Sequence, residues 1–316
     1  MMVQVVLILW IITALLILLE NKVARIIIYL GVFSLIAALG YLMLGAPDVA
    51  MAEAAASAFT VVFFVICFEK YFGFSDEHLG SQVIKEKFLS IRVLGPLGFV
   101  AALFLLVLYS LPEIAMDNPF LRDRYLAEFH QELGGTNPVG AILLGYRVYD
   151  TLFEALVVVV SVVAAIHLSA FGENSEIHEE EHSEMENSGM AVFAIQIICP
   201  VMLMFGVYLI LNGHLTPGGG FQGGLAIASF FICRYMIYDV NDLPIHELNR
   251  MEEIVFVGTV LFAAAIVFFG AAMFLPYHMV PFFQTVYMTI MNALIGIKVA
   301  FGFIILFYRY IAIESK

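Results

Sequence analysis

The sequence predicts an all-α, polytopic membrane protein with about nine transmembrane helices. Three observations support this fold class: 62% of the 316 residues are hydrophobic, only 13% are charged, and the apolar residues form long runs. Soluble domains carry roughly 45–50% apolar and about 25% charged residues, and about 20 apolar residues span a bilayer. No basic patch occurs, so nucleic acid is not an expected partner; the lipid bilayer is.

Nine apolar runs define the expected spans. They lie at about 3–19, 24–44, 49–69, 91–111, 148–170, 190–211, 222–239, 254–275 and 284–308. The first run has no Lys or Arg before Glu20 and no small-residue cleavage site, so we expect a retained helix rather than a signal peptide.

The basic residues predict the orientation. With nine spans, ten basic residues lie on the side of the C-terminus and two on the other side. Because basic residues concentrate in cytoplasmic loops, we expect the N-terminus outside and the C-terminus in the cytoplasm. The ten are Lys22, Arg25, Lys70, Lys85, Lys87, Arg92, Arg234, Arg250, Arg309 and Lys316, and the two are Arg122 and Arg124.

Two polar stretches divide the chain into a 3+2+4 arrangement of helices. We expect a three-helix segment at 1–75, a two-helix segment at 88–171, an acidic linker at 172–188 and a four-helix domain at 189–316. The linker concentrates much of the net charge of −13, which is typical of a hydrated segment. Its His178-Glu-Glu-Glu-His182 matches the HExxH metalloprotease pattern, but no apolar face is present to build a cleft.

Ionisable residues inside apolar spans are candidate functional residues, because a charge is costly in the membrane. Just before the third span, Pro47 is suited to begin a helix. Asp48 falls in its first turn, where it either caps the helix or serves an ion path. Glu53 lies deeper, where capping cannot explain it, so we expect a functional role.

Arg147, Asp150 and Glu154 precede and enter the fifth span at spacings i, i+3 and i+7, which predicts one shared helix face. Arg147 and Asp150 fit either a structural ion pair or an ion path. An ion pair between Arg147 and Asp150 would not include Glu154, which is followed by an apolar run. Its carboxylate therefore remains available to titrate or bind a cation.

Two further candidates lie in the last third of the chain. His214 sits in a glycine-rich link, where it gates an ion path or is simply a turn residue. In the same link, Gly219–Gly223 and Gly220–Gly224 give overlapping GxxxG spacings, which allow close helix packing. Lys298 is deep in the last span, so we expect a charge opposite a carboxylate.

These motifs resemble the Mrp-type multisubunit sodium/proton antiporter family. The stretch 44–53 resembles the three-helix segment near the C-terminal end of the MrpA-type subunit, and 137–154 resembles the two-helix segment after it. The stretch 213–224 is similar to the signature of the MrpB-type subunit. The three blocks occur in family order, as in a fusion, and related subunits occur in membrane-bound hydrogenase and sulfur-reducing complexes.

The resemblance implies a component of a cation/proton antiporter module in a prokaryotic cell membrane, with Glu53 and Glu154 along the ion path and sodium near them. Ser57 stands where antiporters often have a further glutamate, and Asn292, Gly296 and Lys298 resemble the hydrogenase-associated variants. It therefore implies a redox-driven respiratory complex. The expected partners are proton-channel subunits and a redox module with iron–sulfur or nickel–iron subunits, with no cofactor in this chain.

Two alternatives stay open from the residues. One is a structural scaffold that seals and orients the channel subunits, with its charges serving interfaces. The other is an independent transporter, against which stands the absence of an internal inverted repeat, a feature that many secondary transporters show.

Overall fold

The computed structural model describes residues 2–20, 22–72, 120–170, 189–238, 245–272 and 281–312. Within these ranges the chain is helical and contains no strand, which confirms the all-α class. The predicted fourth span, 91–111, and the acidic linker, 172–188, lie outside the described residues.

Ten α-helices and one π-helix follow each other along the described chain. The first group is α1 (Met2–Leu19), α2 (Val23–Met43) and α3 (Pro47–Phe72). The second is α4 (Phe120–Leu133), α5 (Pro138–Ala141), the π-helix (Ile142–Tyr146) and α6 (Val148–Ala170). The third is α7 (Gly189–Asn212), α8 (Gly220–Tyr238), α9 (Ile245–Ala272) and α10 (Pro281–Ala312).

The membrane character of these helices follows from their length and composition. Within the described ranges, 6 helices are long and apolar enough to cross a membrane, namely α1, α2, α3, α6, α7 and α10. Helices α8 and α9 overlap most of the predicted seventh and eighth spans. The total of nine spans and the orientation of the termini remain predictions.

Helix α10 is the centre of the bundle. Its membrane-spanning window is 61% buried, whereas that of α1 is 6% buried. It packs against α3, α4, α6, α7, α8 and α9. Because it is surrounded by protein rather than lipid, polar side chains such as Asn292 and Lys298 can be accommodated along it.

The glycines of α8 allow the predicted close packing. A Cβ on Gly220 would lie 2.5 Å from the Asn292 carbonyl oxygen of α10, and one on Gly224 would lie 2.4 Å from that of Gly296. On its other side, a Cβ on Gly223 would lie 2.6 Å from the Gly206 carbonyl oxygen of α7. The overlapping GxxxG spacings therefore serve two neighbouring helices at once.

Helix α4 was not among the expected spans, because its sequence is polar. An exposed i,i+4 pair between Arg124 and Glu128, with N and O 3.1 Å apart, supports its outer face. It ends at Leu133 and is followed by Gly134, whose φ of 70° favours glycine. It packs against α5, the π-helix and α10.

The π-helix lies directly before α6. The Arg147 N–H donates to the Ile142 carbonyl at 2.8 Å, which is a five-residue step. The wider turn leaves the Leu144 carbonyl free to accept from the Tyr287 hydroxyl of α10 at 2.8 Å. The irregular segment is thus fixed to the central helix, and α6 begins from a defined position.

Candidate functional site

A cavity of about 250 Å³ lies where the three groups of helices meet. We call it the junction cavity. Its walls come from the start of α3, from α5 and the π-helix, from α6, from the glycine-rich link into α8, and from α10. The polar side chains that line it are Asp48, Thr151, Glu154, Gln222 and Asn292.

Asp48 joins all three groups of helices at the rim of this cavity. Its side chain is buried, and its Oδ1 accepts from the Asn137 side-chain amide at 2.9 Å and from the Gly218 N–H at 3.0 Å. The sequence left two roles open for Asp48, a helix cap or a residue of an ion path. Its described side-chain hydrogen bonds run to other elements rather than to the backbone of its own helix. Asp48 is therefore a tie between the groups as well as a cavity wall.

Asn137 is the second member of this tie, and sequence reasoning did not single it out as a site residue. Its amide nitrogen also lies within hydrogen-bond distance of the carbonyl oxygens of Gly213, at 3.1 Å, and Thr216, at 3.0 Å, so its two N–H groups are shared among three acceptors. Its Oδ1 accepts from the Val139 N–H at 3.0 Å and so caps α5. The available signal was the dipeptide Asn137-Pro138, an N-cap followed by proline at the first helical position.

Glu154 is the second carboxylate of the junction cavity. Thr151, one turn earlier on α6, also lines the cavity, and its hydroxyl donates to the Leu143 carbonyl of the π-helix at 2.7 Å. The bond fixes the first turn of α6 and hence the position of Glu154. Two carboxylates from separate parts of the chain thus face one cavity, an arrangement that can bind a cation or a proton.

Asn292 brings α10 to the same cavity. Its Oδ1 accepts from the Gly220 N–H at 3.0 Å, at the start of α8. Its Nδ2 is buried without a hydrogen-bond partner among the described residues. The side chain therefore holds the glycine-rich link against α10 and leaves its amide NH2 without a described partner beside the cavity.

Glu53 does not line the junction cavity. Its carboxylate accepts a hydrogen bond from the Ser34 hydroxyl of α2, and the side chain is half-buried between α2 and α3. Glu53 follows Asp48 by five residues, and the two side chains lie on different faces of α3, one towards α2 and the other towards the junction cavity. Among the described residues the two glutamates therefore do not share the junction cavity, and a sodium site near them stays a prediction.

Arg147 and Asp150 form the ion pair that the sequence allowed, with N and O 2.5 Å apart. The side chains are 61% and 49% exposed, and neither lines the junction cavity. Arg147 precedes the first residue of α6, with φ −124° and ψ 36°. The face shared by Arg147, Asp150 and Glu154 is thus interrupted at Arg147.

Lys298 is fully buried and lies between α6 and α9. Its Nζ donates to the Ala155 carbonyl at 2.5 Å and is 3.2 Å from Glu252 Oε1. The sequence predicted a carboxylate opposite this lysine but did not identify Glu252. The expected eighth span began at residue 254, which left Glu252 outside it, whereas α9 begins at Ile245.

His214 is a turn residue with a buried side chain, beside but not in the junction cavity. Its carbonyl accepts from the N–H groups of Thr136, at 3.0 Å, and Asn137, at 3.2 Å. Its Nδ1 is 3.5 Å from the Thr289 hydroxyl oxygen. Burial lowers the pKa of the His214 ring, while a hydrogen bond with the Leu211 backbone opposes this shift.

Family models match both ends of the chain. Residues 190–313 match a domain related to the MnhB subunit of Na⁺/H⁺ antiporters, and residues 8–71 match MbhD, the D-type subunit of MBH. An A/B-type subunit of a probable K⁺/H⁺ antiporter of Rhizobium meliloti is 25% identical over 264 residues, which are 74% of this chain. The chain belongs to the Mrp-type antiporter family. It is a fusion of MrpA-like and MrpB-like segments, as the resemblance predicted.

Other relatives of this Mrp-type chain include an uncharacterized protein of Methanocaldococcus jannaschii, 30% identical over 181 residues, with 52% of this chain and 67% of that protein covered. The A-type subunit of the Na⁺/H⁺ antiporter of Bacillus subtilis is 30% identical over 139 residues, which are 43% of this chain and 16% of that protein. The alignment spans 26% of the Rhizobium protein, so the Mrp-type chain is much shorter than these A-type relatives.

Two solved structures share the fold. A chain of the Mrp complex from Dietzia sp. DQ12-45-1b gives a TM-score of 0.62 at 18% identity, with 95% of this chain and 34% of that chain covered. A chain of the membrane-bound sulfane sulfur reductase, an archaeal respiratory membrane complex, gives a TM-score of 0.52 at 24% identity, and the match covers 68% of this chain and 95% of that chain. The Mrp-type chain is a membrane protein by its family and by its apolar helices.

Proposed function

We propose that this chain is a membrane subunit of a cation/proton antiporter module and that the junction cavity belongs to the ion path. The observation that carries the proposal is the cavity itself, which brings Asp48 of α3 and Glu154 of α6 together. Intramembrane carboxylates are costly and commonly mark ion pathways. Antiporter subunits among the relatives support the same role.

The two carboxylates have different parts in this proposal. Asp48 is held by the Asn137 amide and the Gly218 N–H, so it supplies a fixed negative field. Glu154 has no described partner that holds it in this way, and it binds either the cation or a proton. Because the two ligands compete for one carboxylate, their binding is mutually exclusive, which exchange requires. Glu53 would act at a separate point along the path.

The identity of the cation is part of the proposal. Sodium is the cation we expect, as in the Bacillus relative, which is named for an Na⁺/H⁺ antiporter. The Rhizobium relative, which aligns over most of this chain, is named for a probable K⁺/H⁺ antiporter. Transport assays should therefore measure both cations, because a cavity lined by two carboxylates does not by itself distinguish them.

We further propose that the chain works in a prokaryotic cell membrane within a redox-driven respiratory complex. Proton-channel subunits would supply the rest of the antiporter module, and a redox module with iron–sulfur or nickel–iron subunits would drive it. The fold shared with a chain of an archaeal respiratory membrane complex supports this context. Electron transfer would occur in the partner subunits.

A second candidate function is a scaffold that orients the channel subunits. It is favoured by the tie through Asp48 and Asn137, which joins α3, α5 and the glycine-rich link with hydrogen bonds between residues far apart in sequence. In that role Asp48 and Glu154 would serve packing, and no ion would need to pass between them.

The experiment is cation transport in vesicles that contain the whole complex, with sodium and potassium measured separately. We compare wild type with Glu154→Gln, and Glu128→Gln on α4 is the control, since that glutamate pairs with Arg124 at an exposed position. Loss of transport in Glu154→Gln, with normal assembly and an active control, supports the ion path. Transport at the wild-type rate in Glu154→Gln would favour the scaffold.

A further inference from the structure

Two of the three cysteines of the chain meet at the interface between α7 and α8. Cys199 of α7 is buried, Cys233 of α8 is partly buried, and both are free thiols. The two thiol groups are hydrogen-bonding partners. Neither cysteine lines the junction cavity, so the pair is a separate feature from the carboxylates of the proposed ion path.

The packing of the two helices explains why the thiols meet. Gly206 of α7 lies so close to α8 that a Cβ there would be 2.8 Å from the Gly223 carbonyl oxygen and 3.2 Å from the Ile227 nitrogen. A short link joins the two helices, so they run antiparallel. The cysteines lie about two helical turns before Gly206 on α7 and about two turns after Ile227 on α8, which places them opposite each other.

The surroundings of the pair suit oxidation to a disulfide. Two thiols and a disulfide are both uncharged, so an apolar helix interface accommodates either state without burying a charge. Cys233 is the more accessible of the two, so a reagent reaches it first, and Cys199 lies behind it as the resolving thiol. Pro200 follows Cys199 inside α7 and removes one backbone hydrogen bond of that helix. The bend that proline allows lets the sulfurs approach to the S–S distance of about 2.0 Å.

We propose that Cys199 and Cys233 form a redox-active dithiol, which a small membrane-soluble disulfide oxidises to an interhelical disulfide that fastens α7 to α8. Cys233 loses its proton and attacks one sulfur of the oxidant, which gives a mixed disulfide and expels one small thiolate. Cys199 loses its proton, attacks the Cys233 sulfur and expels the second small thiolate. The two small thiolates take up the two protons. Overall, the S–S bond of the oxidant is broken, the S–S bond between the cysteines is formed, and two electrons pass to the oxidant.

The test treats the purified whole complex with dithiodipyridine, an uncharged aromatic disulfide, and maps the peptides of this chain by mass spectrometry without reduction. We expect a pair of peptides joined through Cys199 and Cys233, which dithiothreitol separates. In Cys199→Ser the Cys233 thiol should instead keep a pyridylthio adduct, because no resolving thiol remains to displace it. The trapped adduct would show which thiol reacts first.

Cys67→Ser is the matched control, because Cys67 of α3 is the third cysteine of the chain and lies outside the proposed pair. It should form the same link to the same extent as wild type. Separate adducts on Cys199 and Cys233 of the wild-type chain would overturn the proposal. So would two thiols that stay reduced in the folded complex under conditions in which the denatured complex reacts.

The thermal midpoint of the complex tests whether the disulfide fastens the two helices in their native packing. A crosslink restricts the unfolded chain, so oxidation should raise the midpoint of wild type and of Cys67→Ser and leave that of Cys199→Ser unchanged. A midpoint of the oxidised wild type at or below that of the reduced form would overturn the fastening of α7 to α8. The inference does not depend on the ion path, so Glu154→Gln should form the link as wild type does.

Discussion

Removing the Asn137 side chain should loosen the junction of the three helix groups. In Asn137→Ala the Asp48 carboxylate loses one of its two donors, and the carbonyl oxygens of Gly213 and Thr216 lose the amide that they share. The N-cap of α5 is lost as well. All of these atoms are buried or part-buried, so water does not fully replace the amide.

The expected cost follows from these bonds. A hydrogen bond to a charged group contributes about 1.5–3 kcal/mol and one to a neutral group about 0.5–1.5 kcal/mol, while loss of an N-cap costs about 1 kcal/mol. Because one amide makes several of the bonds, they are not additive, and we expect a loss of about 3–5 kcal/mol. That corresponds to a fall of roughly 5–15 °C in thermal midpoint.

The assay is the thermal midpoint of the purified whole complex, with Asn249→Ala as the matched control. Asn249 is also an asparagine that bonds a carboxylate, that of Glu253 at 3.1 Å, but the pair is exposed on the surface of α9. We expect the control to match wild type. If Asn137→Ala and Asn249→Ala have the same thermal midpoint, the hydrogen bonds of Asn137 contribute nothing to the stability of the junction, and the reasoning from buried hydrogen bonds is refuted.

Three further predictions test packing, surface charge and pH dependence. The Gly224→Ala variant should be destabilised by about 1–3 kcal/mol or more, since the added Cβ would lie 2.4 Å from the Gly296 carbonyl oxygen. The control Gly258→Ala has open space around its Cβ and should be neutral or slightly stabilising in the same thermal assay. Equal thermal midpoints of the two variants would contradict the close packing. Arg147→Ala should cost less than about 1 kcal/mol, because its pair with Asp150 is exposed, and a larger loss of stability would indicate a buried role in the complex. Burial lowers the pKa of His214, so the unfolded chain binds the proton first on acidification and stability should fall as the pH drops below about 6.5. The His214→Gln variant should therefore lose less stability than wild type between about pH 7 and pH 5. An identical pH profile of stability in the two proteins would show that His214 does not cause the fall.

The helices were predicted well because the signal for them is local. The span predicted at 148–170 matches α6, and that predicted at 284–308 lies inside α10. Each apolar run carries its own evidence of length and composition. Helix α4 was missed for the same reason, since its sequence is polar and its packing partners, α5, the π-helix and α10, are not visible in a local pattern.

The candidate site was predicted only in part. Asp48 and Glu154 were both named from the cost of intramembrane charge, and they do share a cavity. Glu53 was chosen by the same argument but contacts Ser34 instead. The cost of a charge indicates that a residue needs a partner, but it does not identify which partner the residue has.

The sequence by itself determined the membrane class, most of the described helices, the family and several of the costly polar residues, because each depends on residues that are close along the chain. Only the tertiary structure decided that Asn137 holds Asp48 and that Glu252 faces Lys298. These partners are 89 residues apart in the first case and lie on separate helices in the second. Their meeting depends on how the helices pack around α10, which no local pattern encodes.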